Sequence, residues 1–499
     1  MRRVLLPVLI LAAAAAPSPV RAQEPRAERS SEEFQRRWKK TAPEEKASAF
    51  RHLDVSTPES LPSLYDGFRF PHWLVRGSAA EAASKIPEGP LRSQARLDLL
   101  VHEEALVRGG LAYALALAPL AGDGEALAGG LEDRSAAVRR DCARGLRRLP
   151  SRGAIRALVK ALGKESDGRV RVWILDTLRA ITRGDEGIEP QAWDAWWRIH
   201  EKDPEMQPPP EVPPEKREFA GVRLEVVTVP ARRPPPGRHR PALFVLAPYG
   251  WTHDLFRPWL DPLHETFDVS YIRLPSVREL TGKSGYGDDI PVYPVDRLAK
   301  AFEALRRERG AEQVVLLGEG AAAWIAETYA LQYPSRTAAL LLVNAWIDAD
   351  SYTAALQRMA AAGSAEEKAV ARSLLNIDPS ARDEREDRWM ARVGLHHELM
   401  DPADLLGHRL WTVARDLQGF ASVPPIRLDR HTRIEAPALF FFPAGSPMSG
   451  HYEADRVRDS FPKALVAALE DTRGLLWVDR HDEFHRVVRG FVDRYSLDR

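Results

Sequence analysis

Among 499 residues there is one cysteine, Cys142, so no internal disulfide can brace the chain. Stability must come from buried apolar surface, which a chain this long can supply, and Cys142 itself reads as a small core residue. Charge of one sign is missing too: lysine and arginine total 71, aspartate and glutamate 71. With no basic run or face, a general role in binding nucleic acid or anionic lipid is excluded. Long apolar runs are absent after the first residues, "MRRVLLPVLILAAAAAPSPVRA". There two arginines precede an apolar stretch, Val4 to Ala16, too short to span a bilayer, and Val20-Arg21-Ala22 forms a small-x-small cleavage site. The pattern predicts a signal peptide over 1–22 and an exported mature chain, periplasmic or secreted, with no stable membrane anchor once cleaved. No cofactor motif is expected.

What the sequence does contain is a repeat. Val-Arg recurs at 75–76, 107–108, 138–139 and 170–171, spaced 32, 31 and 32. Eight residues after each valine comes Ala83, Leu115, Leu146 or Leu178, and seven or eight before the last three comes Leu100, Leu131 or Leu162. This spacing predicts pairs of short helices joined by polar turns, each pair burying its apolar face only against its neighbours. The arginine after each valine is expected to turn its head toward backbone or carboxylate. "WDAWWRIHE" places Trp193, Trp196 and Trp197 on one helical face, as a closing helix would. The array, 70–202, resembles the short bacterial HEAT repeat, which implies an all-α solenoid and a surface for a protein partner. Residues 23–69 are read as a helical cap and 203–219, rich in proline, as a linker.

From 220 to 499 the pattern changes to strand and helix. β-rich runs at 222–229, 241–248, 268–275, 313–320, 337–344, 436–443 and 464–471 are mostly apolar on both faces, as covered parallel strands should be. "QVVLLGEGAAAWIAETYA" joins a buried strand to a helix through a glycine turn, and "LLWVDRHDEFHRVVRGFVDRY" makes a closing helix. Their order resembles the α/β-hydrolase fold, a mostly parallel sheet with a helical lid, here placed at about 345–433. In that family the turn carries the nucleophile, with small residues two before and two after it. Gly318 and Ala322 meet that need, but Gly320 occupies the nucleophile position, and 313–326 holds no serine, cysteine or aspartate. The resemblance implies an acid at Ser446 and a histidine at Gly474, so all three triad positions are degenerate. The expected chain is a non-catalytic relative; the alternative is an atypical ester hydrolase.

Other candidates are weaker. Glu319, beside the apex, could serve as a substitute base or merely favour the helix N-terminus. Tyr249, Trp251, Tyr286 and Tyr293 could line a small-molecule pocket under the lid. His481 and His485 have helical metal spacing, yet the metalloprotease pattern needs glutamate where Asp482 stands; a solvated helix face is the expectation, with no metal. His396, His397 and Glu398 point different ways on a helix, and the glycine-rich loop around Ser284 lacks phosphate-loop spacing.

Overall fold

A computed structural model describes residues 43–182, 184–202, 214–231, 241–246, 256–275, 295–345, 349–362, 368, 432–444, 454–470, 472 and 476–497. The signal segment, the pocket tyrosines, Trp251, Ser284, His396, His397, Glu398, Ser446, Gly474 and most of the lid lie outside them. No described helix is long and apolar enough to cross a membrane. The chain packs as two compact units, one holding the described residues 43–202 and the other 214–497.

Among the described residues, the regular structure of the first unit is all helical. α1 (Pro43–Phe50), α2 (Ser60–Phe68) and α3 (Trp73–Ala83) precede the pairs α4 (Pro90–Val101) with α5 (Ala105–Leu117), α6 (Gly124–Gly130) with α7 (Ala136–Leu146), and α8 (Arg152–Leu162) with α9 (Gly168–Thr182). α3, α5, α7 and α9 stack in one layer, and α4, α6, α8 and α10 (Pro190–His200) in the other. Helix starts follow local chemistry: Pro90 and Pro190 open their helices, and the Ser135 and Ser151 hydroxyls accept from backbone N–H groups. The repeat valines Val75, Val107, Val138 and Val170 are all buried.

The repeat arginines have one geometry in three of four units. Nη1 of Arg76 donates to the carbonyls of Phe70 and Pro71, that of Arg108 to His102 and Glu103, and that of Arg139 to Asp133 and Arg134. The other edge reaches into the next unit: Arg108 grips Asp133 (2.6 and 3.1 Å) and Arg139 grips Glu165 (2.7 and 2.9 Å). Head toward backbone and head toward carboxylate are thus both realised. The ladder ends at Arg171, whose Nη2 bonds Ile188 O instead. In α10, Trp193 is fully buried with its indole N–H on Gly187 O, whereas Trp196 stacks on His200 and, like Trp197, is only partly buried. Cys142 is a buried core residue, its thiol pushed up by desolvation.

The second unit is an eight-stranded sheet: β1 (Glu215–Phe219), β2 (Val222–Val229), β3 (Ala242–Leu246), β4 (Asp268–Arg273), β5 (Val314–Glu319), β6 (Thr337–Val343), β7 (Ala438–Pro443) and β8 (Ala464–Leu469). Its order is β1-β2-β4-β3-β5-β6-β7-β8, with β2 antiparallel to both neighbours and the rest parallel. That order is the α/β-hydrolase fold. Seven strands fall where alternation and apolarity predict them. β1, "EKREF", begins inside the segment read as a linker; it is a charged edge strand exposed at four of five residues, so it carries no burial signal. Helices α11 (Val295–Glu308) and α12 (Ala321–Gln332) cover one face over Phe244, Leu316, Leu342 and Phe440. On the other, α15 (Leu476–Asp479) and α16 (His481–Tyr495) meet the sheet through Phe441 against Phe484; α14 (Ala454–Ser460) joins the first face through Val457, and α13 (Ala349–Ala362) is the remaining described α-helix of this unit.

Candidate functional site

The joint between β5 and α12 is built as a sharp elbow. A Cβ on Gly318 would lie 2.8 Å from Ala322 O and from Ala323 N and Cα, so only glycine lets helix and strand approach this closely. Gly320 takes φ 53°, ψ −122°, a left-handed conformation that strains any L side chain. Its N–H donates to Val343 O (2.8 Å), which ties the apex to the end of β6, and its carbonyl accepts from Ala323 N (3.1 Å). A Cβ there would meet no described atom within 4 Å. The described residues thus leave a Cβ at the apex uncrowded, and the residue filling that position has no side chain.

Glu319 is the ionisable group nearest this turn. One carboxyl oxygen accepts from the Asn344 side chain (3.2 Å); the other is sealed from solvent with no hydrogen-bond partner among the described residues. The residue as a whole keeps some exposure, while Oε2 itself is sealed. Burial raises it to about 8, outweighing the Asn344 hydrogen bond, which pulls the other way. Asn344 has φ 51° and donates its N–H to Phe441 O, so the ends of β5, β6 and β7 are linked around this acid. At neutral pH Glu319 is a proton-bearing carboxylic acid. It can donate a hydrogen bond there, and as a base it would be mostly occupied.

His481 and His485 correct an expectation: both are buried, not on a solvated face. Each places Nε2 on the carbonyl of Trp259 (3.1 and 2.8 Å). A carbonyl only accepts, so both rings carry the proton at Nε2. Burial first, then the charge of neighbouring His481, lowers His485 to about 3, so it is neutral. Nearby in sequence to Trp259, Asp261 and His264 are buried as well, with His264 Nε2 on the Tyr271 hydroxyl (2.8 Å). The sequence reading missed this because helical spacing of two histidines in a charged stretch does not reveal which face is covered. Among the described residues no group of three metal-ligating side chains comes together.

Comparison with known proteins bears on this same region. Residues 262–375 match the model of the Ndr family. No curated protein matches the chain. Among solved structures, the chain is similar to an epoxide hydrolase of Bacillus megaterium (14% identity, 56% of this chain and 100% of that one, TM-score 0.39). It is also similar to a proline iminopeptidase of Mycobacterium smegmatis (16%, 57% and 99%, 0.41) and to a proline iminopeptidase-related protein of Thermus thermophilus (18%, 57% and 99%, 0.39).

Proposed function

We propose that this is an exported, non-catalytic protein of the α/β-hydrolase fold, joined to a HEAT-like helical array that recognises a protein partner. The observation that carries the reading is Gly320 at the elbow apex: the turn keeps its shape and offers no atom that could attack an acyl carbon. Ser446 and Gly474, at the positions the family gives to acid and base, extend the same loss in sequence. The space at the apex would then serve to hold a small molecule without transforming it. A fluorophosphonate probe on the mature protein tests this. No covalent label is expected, and labelling that maps to any residue of the hydrolase-like unit refutes the proposal.

One observation favours a second reading, an atypical ester hydrolase: the buried acid at Glu319, one residue from the apex. In that reading Glu319, once ionised, would take a proton from an attacking water, so turnover of p-nitrophenyl acetate would rise through about pH 8 and vanish in E319Q. Turnover at the buffer rate in both proteins removes it.

A further inference from the structure

Among the described residues four large apolar side chains are exposed: Leu97 (51%), Leu100 (47%), Val101 (64%) and Ile199 (76%). Three of them stand at i, i+3 and i+4 near the end of α4, so they share one face of that helix. The stack does not use them, since α4 buries Arg92, Ala95 and Leu99 inward. Leu99, eight residues before Val107, is the covered leucine of its unit, as Leu131 and Leu162 are in the next two. Leu100, to which the repeat spacing gives that role, is therefore surplus. The patch continues onto α6. A Cβ on exposed Gly129 would lie 2.8 Å from Leu100 Cδ2, so Leu100 lies across α6 where that helix carries no side chain.

The charge beside this stripe is of one sign. Both arginines of α4 are engaged, Arg92 with Asp123 and Arg96 with Asp123 and Glu88. Asp98, next to Leu97, accepts from the Tyr65 hydroxyl and the Gln94 amide, neither of them cationic. Glu103, two residues past Val101, and Glu125, one turn before Gly129 on α6, are exposed. Their carboxylates meet no donor or cation among the described residues. Glu104 has Arg69, and Glu132 has Lys160 and Lys164 from α8. Carboxylates without a cation thus border an apolar row at helical spacing. Such a row is covered by a partner helix laid along it, and acids at its border favour lysine or arginine on that helix. The same acids repel an anionic lipid surface, which sets this face apart from a membrane-binding one.

We propose that Leu97, Leu100 and Val101 form a docking face for a basic amphipathic helix of a protein partner. The proposal rests on the reading of the array as a recognition surface. It is tested on the full mature chain with 13C-labelled leucine and valine methyls, the stripe being assigned through L97S, L100S and V101S. These positions are exposed and accept serine without loss of the fold, which an unchanged unfolding midpoint of the triple variant checks. The probe is acetyl-LKKLLKLLKKLLKL-amide, with acetyl-LEELLELLEELLEL-amide as its acidic counterpart. The lysine peptide should move the three methyl signals saturably, and the glutamate peptide should not. The triple variant should bind the lysine peptide about tenfold more weakly, and E103Q/E125Q about threefold more weakly with a shallower salt dependence. Equal binding of the two peptides overturns the basic character of the partner. Shifts elsewhere in the array, with the triple variant binding as wild type does, leave recognition by the array standing and remove this site. Shifts confined to the hydrolase-like unit, or none, remove both. Stripe signals that move with protein concentration alone would make the occupant a second copy, and signals that move in F34S/W38S would make it the chain's own leading segment. Capture on phosphatidylglycerol vesicles, lost in the triple variant, would make it a membrane. Each of these overturns the partner assignment.

Discussion

Replacing Glu319 by glutamine keeps the shape and the bond to Asn344 but removes the ionisation, and the consequence can be worked out from burial alone. The carboxyl titrates near 8 when folded, against ~4.3 in the unfolded chain. Between those values the folded protein holds a proton that the unfolded chain has released, so stability must fall as pH rises. The contribution is whole below ~4.3 and gone above 8, at ~1.4 kcal/mol per pH unit between. His485 acts with the opposite sign over a different range: folded near 3 and ~6.5 unfolded, it stabilises above ~6.5 and that stability is lost as pH falls toward 3. Above ~6.5 His485 is silent, which leaves pH 6.5 to 8 as the window belonging to Glu319.

The assay is urea unfolding of wild type and E319Q at half-unit steps across that window. Wild type should lose roughly 2 kcal/mol relative to E319Q, from ~1.4 kcal/mol per unit over the interval. Contributions from the chain terminus and other groups are common to both proteins and cancel in the difference. Parallel stability curves would mean that Glu319 is already ionised in the folded state, and the account of the elbow as housing a neutral acid would be wrong.

Three further outcomes follow from the geometry. G318A should destabilise by about 1–3 kcal/mol or more, because its Cβ would strike the backbone of α12, whereas G320A bears only the left-handed strain of ~1–2 kcal/mol; denaturation midpoints in the reverse order would refute the elbow packing. V138A and V170A, each removing two buried methyl groups from the helical stack, should cost roughly 1.5–3 kcal/mol by thermal or chemical melting, and an unchanged melt would count against the repeat register. Glu303 is held near 2, chiefly by Arg306 and also by the Tyr329 hydroxyl, so its contribution is present above ~4.3 and lost as pH falls toward 2. E303Q should flatten that acid limb, read by unfolding between pH 2 and 5, and an acid limb as steep as wild type would show the carboxyl to be unbonded.

How far the sequence carried depended on whether burial leaves a period in it. β2 to β8 are apolar where the sheet covers them, and their positions follow from that; β1 lies on an open edge, carries "EKRE", and leaves no trace. Val75, Val107, Val138 and Val170 revealed the helical pairs because each unit must bury the same face. The arginine ladder was legible as a preference for backbone or carboxylate, but its partners were not, since Asp133 and Glu165 sit 25 and 26 residues away. Gly318 and Gly320 were identifiable because a tight turn restricts residue type. The burial of His481 and His485 was not, because the covering carbonyl at Trp259 lies 222 and 226 residues distant and is a backbone group any residue could supply.

That asymmetry also decides what the elbow can be asked to prove. Its glycine at 318, the left-handed apex at 320 and the N–H bond to Val343 are demands of joining a buried strand to a helix at close quarters. They hold whether or not a reaction follows, so preservation of the turn carries no information about chemistry. Chemistry would need an atom beyond the apex Cα, and the apex supplies none; any nucleophile or base must come from a neighbour. Glu319 is the ionisable neighbour in the described turn, and burial keeps it protonated at the pH where a base would be needed. A buried neutral acid bonded to Asn344 is not poised to take a proton at that pH, so the described turn offers neither a nucleophile at its apex nor a ready base beside it.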